Sequence, residues 1–159
     1  MGSVRSSEFR KTMSQFCTGV VAVTGCYEEK PIGFAAQSFA SVSLEPFLVA
    51  LCPSKSSTSW PKIREAGRFC VNILAKEQLP ICEAMSRSGG DKFIGLEWRG
   101  GLTGSPIFSS SLGYAECEIE AEHEAGDHLV VIGRVIDFDL IYEKSEPLLF
   151  FRSEYGSFV

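Results

Sequence analysis

The chain has 159 residues, 45% hydrophobic and 22% charged, with a formal net charge of −5, the profile of a single globular domain long enough to bury a core. The acidic balance argues against sequence-independent nucleic-acid binding, which needs a basic footprint. It leaves small anionic ligands open, because a few local donors can hold a phosphate.

Met1–Ser7 lack the apolar region of a secretion signal, and no apolar run approaches the ~20 residues of a membrane helix. The six cysteines form no C-x-x-C pair and there are only two histidines, so the expectation is a reduced, cytoplasmic protein without disulfides or a metal site. Cys52, Cys70 and Cys117 lie in apolar strand-like runs and read as small core residues.

Twelve phenylalanines and many Val and Ile residues favour strands. In chain order, Glu8–Phe16 reads as a short helix with Phe9, Thr12, Met13 and Phe16 on one face. Gly19–Gly25 is β-rich, Glu28–Pro31 a turn, and Ile32–Phe39 the returning strand. Phe47–Cys52 is an almost fully apolar strand. Ser57–Ala66 reads as a helix, with Pro61 in its first turn and Gly67 ending it. Arg68–Leu74 is a strand, Lys76–Met85 a helix, and Ser86–Ser111 a long Gly/Ser-rich loop. Ala115, Cys117, Ile119 and Ala121 alternate with Glu116, Glu118, Glu120 and Glu122, which predicts one buried and one wet strand face. A metal site on the glutamate row would need other liganding groups nearby. Ala125-Gly126-Asp127 makes a turn, His128–Leu140 a long returning strand, and Pro147–Arg152 a last short strand. Six or seven hairpin-linked strands with few helices predict a mainly β, closed antiparallel barrel within one domain spanning 1–159.

Three segments carry candidate chemistry. Cys52-Pro53-Ser54-Lys55-Ser56-Ser57-Thr58-Ser59 follows a strand and opens a helix. Its hydroxyls, its lysine and the helix N–H groups suit a phosphate, although ordinary capping explains the same residues. Gly33–Ser43 alternates small residues with aromatics. It would let a flat ring lie on the backbone, or simply let a strand pack on a helix. In Gly126-Asp127-His128 the turn accounts for the first two residues and leaves the imidazole unexplained.

Taken in order, Gly33–Ser43 with Ser43-Leu44-Glu45-Pro46, Ser54–Ser59, Phe69–Leu74, Asp91-Lys92-Phe93 and Gly126-Asp127-His128 resemble the flavin reductase-like family, the small reductase components of two-component flavin monooxygenases. Gln15–Gly19 and Gly33–Glu45 are most similar to reductases serving phenol and steroid-phenol hydroxylases. The resemblance runs from Phe9 to Tyr155, with Phe47 standing where members often carry a second proline. It implies a split β-barrel of the FMN-binding, Greek-key-like type with a few short flanking helices, and a homodimer with FMN or FAD near the interface. It implies NADH as hydride donor and an oxygenase partner supplied through reduced flavin; from charge and hydropathy, neither nucleic acid nor a membrane is expected as a partner.

By the same resemblance, Gly33, Phe34, Ala35, Ala36, Gln37 and Ser38 lie along the isoalloxazine, with Ser43 part of the same motif. Cys52, Pro53, Ser54, Lys55, Ser56, Ser57 and Thr58 hold the ribityl phosphate, Phe93 closes over the ring, and His128, Arg152 and Tyr155 lie on the nicotinamide side. No G-x-G-x-x-G opens a βαβ unit, so a Rossmann mode of binding is not expected. Hydride transfer between stacked rings about 3–3.5 Å apart requires no nucleophile or strong acid from the chain. Two rival readings share the fold: a flavin-binding or redox-sensing module without turnover, and an enzyme similar to pyridoxamine-phosphate oxidase. The latter would need a basic cluster beyond Lys55.

Overall fold

The computed structural model describes residues 2–158. In chain order the elements are α1 (Gly2–Met13), β1 (Thr18–Gly19), β2 (Val21–Tyr27), β3 (Lys30–Ala36), β4 (Phe39–Leu44), β5 (Phe47–Leu51), α2 (Trp60–Ala66) and β6 (Arg68–Ile73). A single 3₁₀ turn (Lys76–Gln78), α3 (Leu79–Ser86), β7 (Arg99–Gly100), β8 (Pro106–Ile107), β9 (Gly113–Ala125), β10 (His128–Leu140), β11 (Leu149–Phe151) and β12 (Glu154–Gly156) follow. The protein is mainly β, and its strands pair antiparallel in three sheets.

The principal sheet has seven strands in the order β3-β2-β6-β9-β10-β5-β4. Its turns follow from local chemistry. Glu28 and Glu29 both take positive φ (48° and 62°), the two-residue turn whose twist matches a hairpin. Lys30 and Pro31, expected within the turn, already belong to β3. Pro31 is tolerated there because β3 ends the sheet and loses no ladder bond on its free edge. The expected strand Ile32–Phe39 is broken by a bend at Gln37-Ser38, after which β4 forms a hairpin with β5 around Glu45-Pro46. At the other long hairpin, Gly126 (φ 66°) and Asp127 join Ala125 to its partner His128.

One face of the sheet surrounds a common core of Val21, Val23, Val49, Leu51, Trp60, Ile63, Phe69, Val71, Cys117, Leu129 and Val131. Ile32, Phe34 and Ala36 from one end of the sheet pack on it, as does Phe39 from the other. Gly133 lets the core close, since a Cβ there would sit 2.6 Å from Cζ of Phe69. A second core, with Ala22, Leu74, Cys82, Met85, Phe93 and Phe108, lies between the sheet and α3. Between them, buried Asn72 donates to the Pro106 carbonyl (3.1 Å) and accepts from the Phe108 N–H (2.9 Å), pinning the long loop to β6.

Several expectations are revised. The first helix begins at Gly2 and ends at Met13, with every described residue exposed, so Phe9, Met13 and Phe16 cover no core of this chain. The second helix starts at Trp60 because the Ser57 hydroxyl accepts from the N–H groups of Ser59 and Trp60 (3.3 and 3.1 Å), holding Ser57 outside it. A further strand, β12, follows the last expected one.

The alternating strand is β9, and its glutamate face is not uniformly wet. Glu118, Glu120 and Glu122 pair with Arg68, Arg134 and Arg64. Glu116 is fully buried. The segment around β7 and β8 folds over it, and its carboxylate accepts from the N–H groups of Leu102 and Thr103 (2.8 Å each) and the Thr103 hydroxyl (2.6 Å). Cys70 and Cys117 are buried as expected; burial, with Glu116 next, pushes the Cys117 thiol up to about 12. Glu116→Ala leaves these part-buried donors without their acceptor and opens a cavity where the carboxylate was buried. It should cost about 3 kcal/mol or more, read as a lower urea midpoint with an unchanged m-value.

Candidate functional site

A cleft of about 420 Å³ opens where the end of β3, the loop after β5, the end of α3 and the β9–β10 turn converge. Its wall runs from Phe34 to Ser38, where Ala35 and Ala36 leave the backbone accessible to a flat ligand. One rim carries Cys52, Pro53, Ser54, Ser56, Ser57, Thr58 and Ser59, the other Met85–Ser88 and Lys92, with His128 at one end.

Side-chain to backbone bonds hold these segments together. The Ser38 hydroxyl accepts from the Cys52 N–H (3.0 Å) and donates to the Cys52 carbonyl (3.3 Å), tying the bend to the end of β5. The Lys55 N–H donates to the Asp127 carbonyl (2.9 Å) and the Leu129 N–H to that of Pro53 (3.0 Å), which seats Ser54 opposite His128. The Gly33 carbonyl accepts from the Ser59 hydroxyl and the Lys92 ammonium (2.9 Å each), and Lys92 also reaches the Met85 carbonyl (3.1 Å). Burial lowers the Lys92 pKa below the ordinary lysine value.

Among the described residues the cleft carries no acidic side chain, although the chain as a whole is acidic, and Lys92 and Arg87 bring positive charge to it. The hydroxyls of Ser54 and Ser56 bond one another (2.8 Å). The N–H and hydroxyl of Thr58 have no partner among the described residues. A flat wall of small residues, the Gln37 amide and a rim of hydroxyls fit a planar heterocycle with a phosphorylated chain.

Of the residues singled out from sequence, Phe34–Ser38, Cys52–Ser54, Ser56–Thr58 and His128 come together here. Lys55 turns away and pairs with Glu124. Gly33 lies behind the wall, and a Cβ on it would stand 2.9 Å from both the Val23 carbonyl oxygen and the Met85 sulfur. Phe93 is buried, stacked on Phe108 with centroids 6.0 Å apart, so in this chain it supports the wall from beneath. Ser43 faces a separate apolar groove beside Leu44 and Phe47. Arg152 and Tyr155 lie on the β11–β12 hairpin away from the cleft. The Arg152 Nε donates to Gln15 (2.9 Å), and the Tyr155 hydroxyl accepts from the Cys82 thiol (3.5 Å).

Met85–Ser88 and Lys92 also line the cleft, beyond the residues expected from the sequence. The pointers to them in the sequence are the Asp91-Lys92-Phe93 motif and the Ser/Gly-rich segment directly after a helix.

Fold and cleft together fit a binder of a planar ring that carries a phosphorylated chain. Residues 13–158 match the flavin reductase like domain, and the chain belongs to that family. Its activity is that of a flavin reductase, an oxidoreductase. It is 47% identical over 147 residues to the flavin-dependent monooxygenase reductase subunit HsaB of Rhodococcus jostii, covering 92% of this chain and 75% of that one. Among solved structures, nitrilotriacetate monooxygenase component B from Mycobacterium thermoresistibile superposes with a TM-score of 0.97 at 42% identity, over 100% of this chain and 89% of that one. The NADH:FAD oxidoreductase SgcE6 of Streptomyces globisporus, in complex with NAD and FAD fragments, superposes with a TM-score of 0.92 at 29% identity, over 97% and 93%.

Gly33→Ala should force β3 away from Val23 and Met85. The expected result is a stability loss of about 1–3 kcal/mol together with weaker flavin binding, read by urea unfolding and by flavin fluorescence titration.

Proposed function

We propose that the chain reduces FMN or FAD with NADH and hands the reduced flavin to a partner oxygenase. The carboxylate-free cleft with its hydroxyl rim carries this reading. When bound, the two cofactors supply the chemistry: a hydride passes from nicotinamide to flavin and a solvent proton completes the reduction.

The chain's part is binding and orientation. Ala35, Ala36 and Gln37 would support the flavin ring, and Ser54, Ser56 and Thr58 its phosphate, with Lys92 and Arg87 offsetting its charge. His128 would position the nicotinamide. Its Nδ1 lies 2.8 Å from the Asp127 carboxylate, which accepts only, so Nδ1 carries the proton. In the neutral ring Nε2 is then an acceptor, suited to a carboxamide N–H. Asp127 itself is held below the ordinary carboxyl range, first by this hydrogen bond.

The active form in this reading is a homodimer. Leu44, Phe138 and Leu140 are 80%, 59% and 69% exposed around the groove that holds Ser43, and a second apolar groove lies beside Phe16 and Phe39. Apolar surface of this extent marks an interface, and a second copy would bring its own residues to a cleft that one chain leaves open. Arg152 and Tyr155 would reach the nicotinamide only in that assembly. Both end strands of the sheet pack on one core, which favours a single domain closing as a split barrel. The six unpaired cysteines fit the cytoplasm. Among the described residues no helix is long and apolar enough to cross a membrane.

Anaerobic mixing with NADH and free FMN should bleach the flavin absorbance in a protein-dependent way; retention of oxidised flavin would refute the reading. His128→Ala should raise the apparent KM for NADH, lower kcat by less than about a hundredfold, and leave flavin affinity and Tm nearly unchanged. Normal turnover with a much lower Tm would make His128 a hairpin residue instead.

A further inference from the structure

Helix α1 lies beside the β9–β10 turn, and between them is an open pocket of about 800 Å³. It is lined by Arg5, Glu8, Phe9 and Arg10 from the helix and by Asp127 and His128 from the turn. His128 is the residue it shares with the flavin cleft, so the two spaces meet at the imidazole. Arg5 and Phe9, four apart, stand on one helix face, with Arg10 beside them.

The state of the two arginines is informative. Arg64, Arg68 and Arg134 are each paired with a glutamate. Among the described residues the guanidiniums of Arg5 and Arg10 have neither an ion pair nor a hydrogen bond, on a chain with an excess of acidic groups. The acidic groups facing them are Glu8 and Asp127, and Asp127 is already committed to His128. Phe9, 65% exposed, offers an aromatic face next to both cations. Two forked donors beside an exposed ring are the recognition chemistry of a purine carrying a diphosphate.

We propose that this pocket binds the adenosine-diphosphate part of the nicotinamide dinucleotide, whose nicotinamide end then crosses His128 into the flavin cleft. The assignment rests on the hydride-transfer reading of that cleft. It gives α1 a function that its lack of any buried residue leaves unexplained. It also makes Arg5, Phe9 and Arg10 determinants of the donor and not of the flavin.

The test compares two donors, with FMN as acceptor so that the flavin carries no adenylate. NADH has the adenosine diphosphate; dihydronicotinamide riboside lacks it. In Arg5→Ala/Arg10→Ala, kcat/KM for NADH should fall about tenfold, as expected for loss of charge-assisted bonds at an exposed site. The riboside should be used as well as by the unaltered protein, and Tm should not move, because both side chains are exposed. Phe9→Ala should show the same donor-selective loss, to a smaller degree. Equal losses with both donors, or no loss with either, would overturn the assignment. So would a loss that appears only with FAD as acceptor, which would give the pocket to the flavin's own adenylate. If the unaltered protein reduces FMN with neither donor, the hydride-transfer reading falls first and the pocket's role with it.

Discussion

The carbonyl oxygen of Gly33 accepts from the Ser59 hydroxyl, just before α2, and from the Lys92 ammonium, beyond α3. Three walls of the cleft thus meet on one backbone atom. A carbonyl has two lone pairs, and here the described donors use both. The residue bearing it can have no side chain, because Val23 and Met85 fill the space a Cβ would need. Lys92 adds a second anchor on the Met85 carbonyl, so the last turn of α3 is set at a fixed height above β3. The spacing between the flat wall and the rim at Met85–Ser88 follows from these bonds.

In the proposed function the cleft would position its ligands without needing to exchange protons with them. Its polar groups are hydroxyls, an amide, two cations and an imidazole oriented by a neighbouring carboxylate. None of these is arranged as a nucleophile with its base. That is consistent with an enzyme whose cofactors carry the electrons, and in which rate depends on holding two rings in register.

Much of the fold was legible in the sequence because its signals are local. The β9 alternation, Gly126-Asp127 and Pro61 with Gly67 each mark structure through backbone chemistry that acts within a few residues. The backbone stretches of the site, Phe34–Ser38 and Ser54–Thr58, were legible for the same reason. What escaped depends on contacts distant in sequence. Glu116 reads as one more wet residue in an alternating row, and only the return of residues 102–103 makes it a buried acceptor. Lys55 reads as the phosphate's cation, but Glu124 on β9 competes for it. Lys92 becomes a cleft residue only because the long loop brings it to β3.

The β9–β10 turn has just two residues, and it is clamped on the flanking loop by the Asp127 carbonyl on one side and the Leu129 N–H on the other. This leaves the hairpin no slack in chain length. One inserted residue would invert the facing of everything beyond it along the strand, and would carry the imidazole away from Ser54 and from both pockets it lines. Drift in loop length among descendants of this sequence is therefore confined to other places. The exposed pair Glu143 and Lys144, between β10 and β11, has no such clamp to the cleft, and the chain can lengthen there while the hairpin cannot.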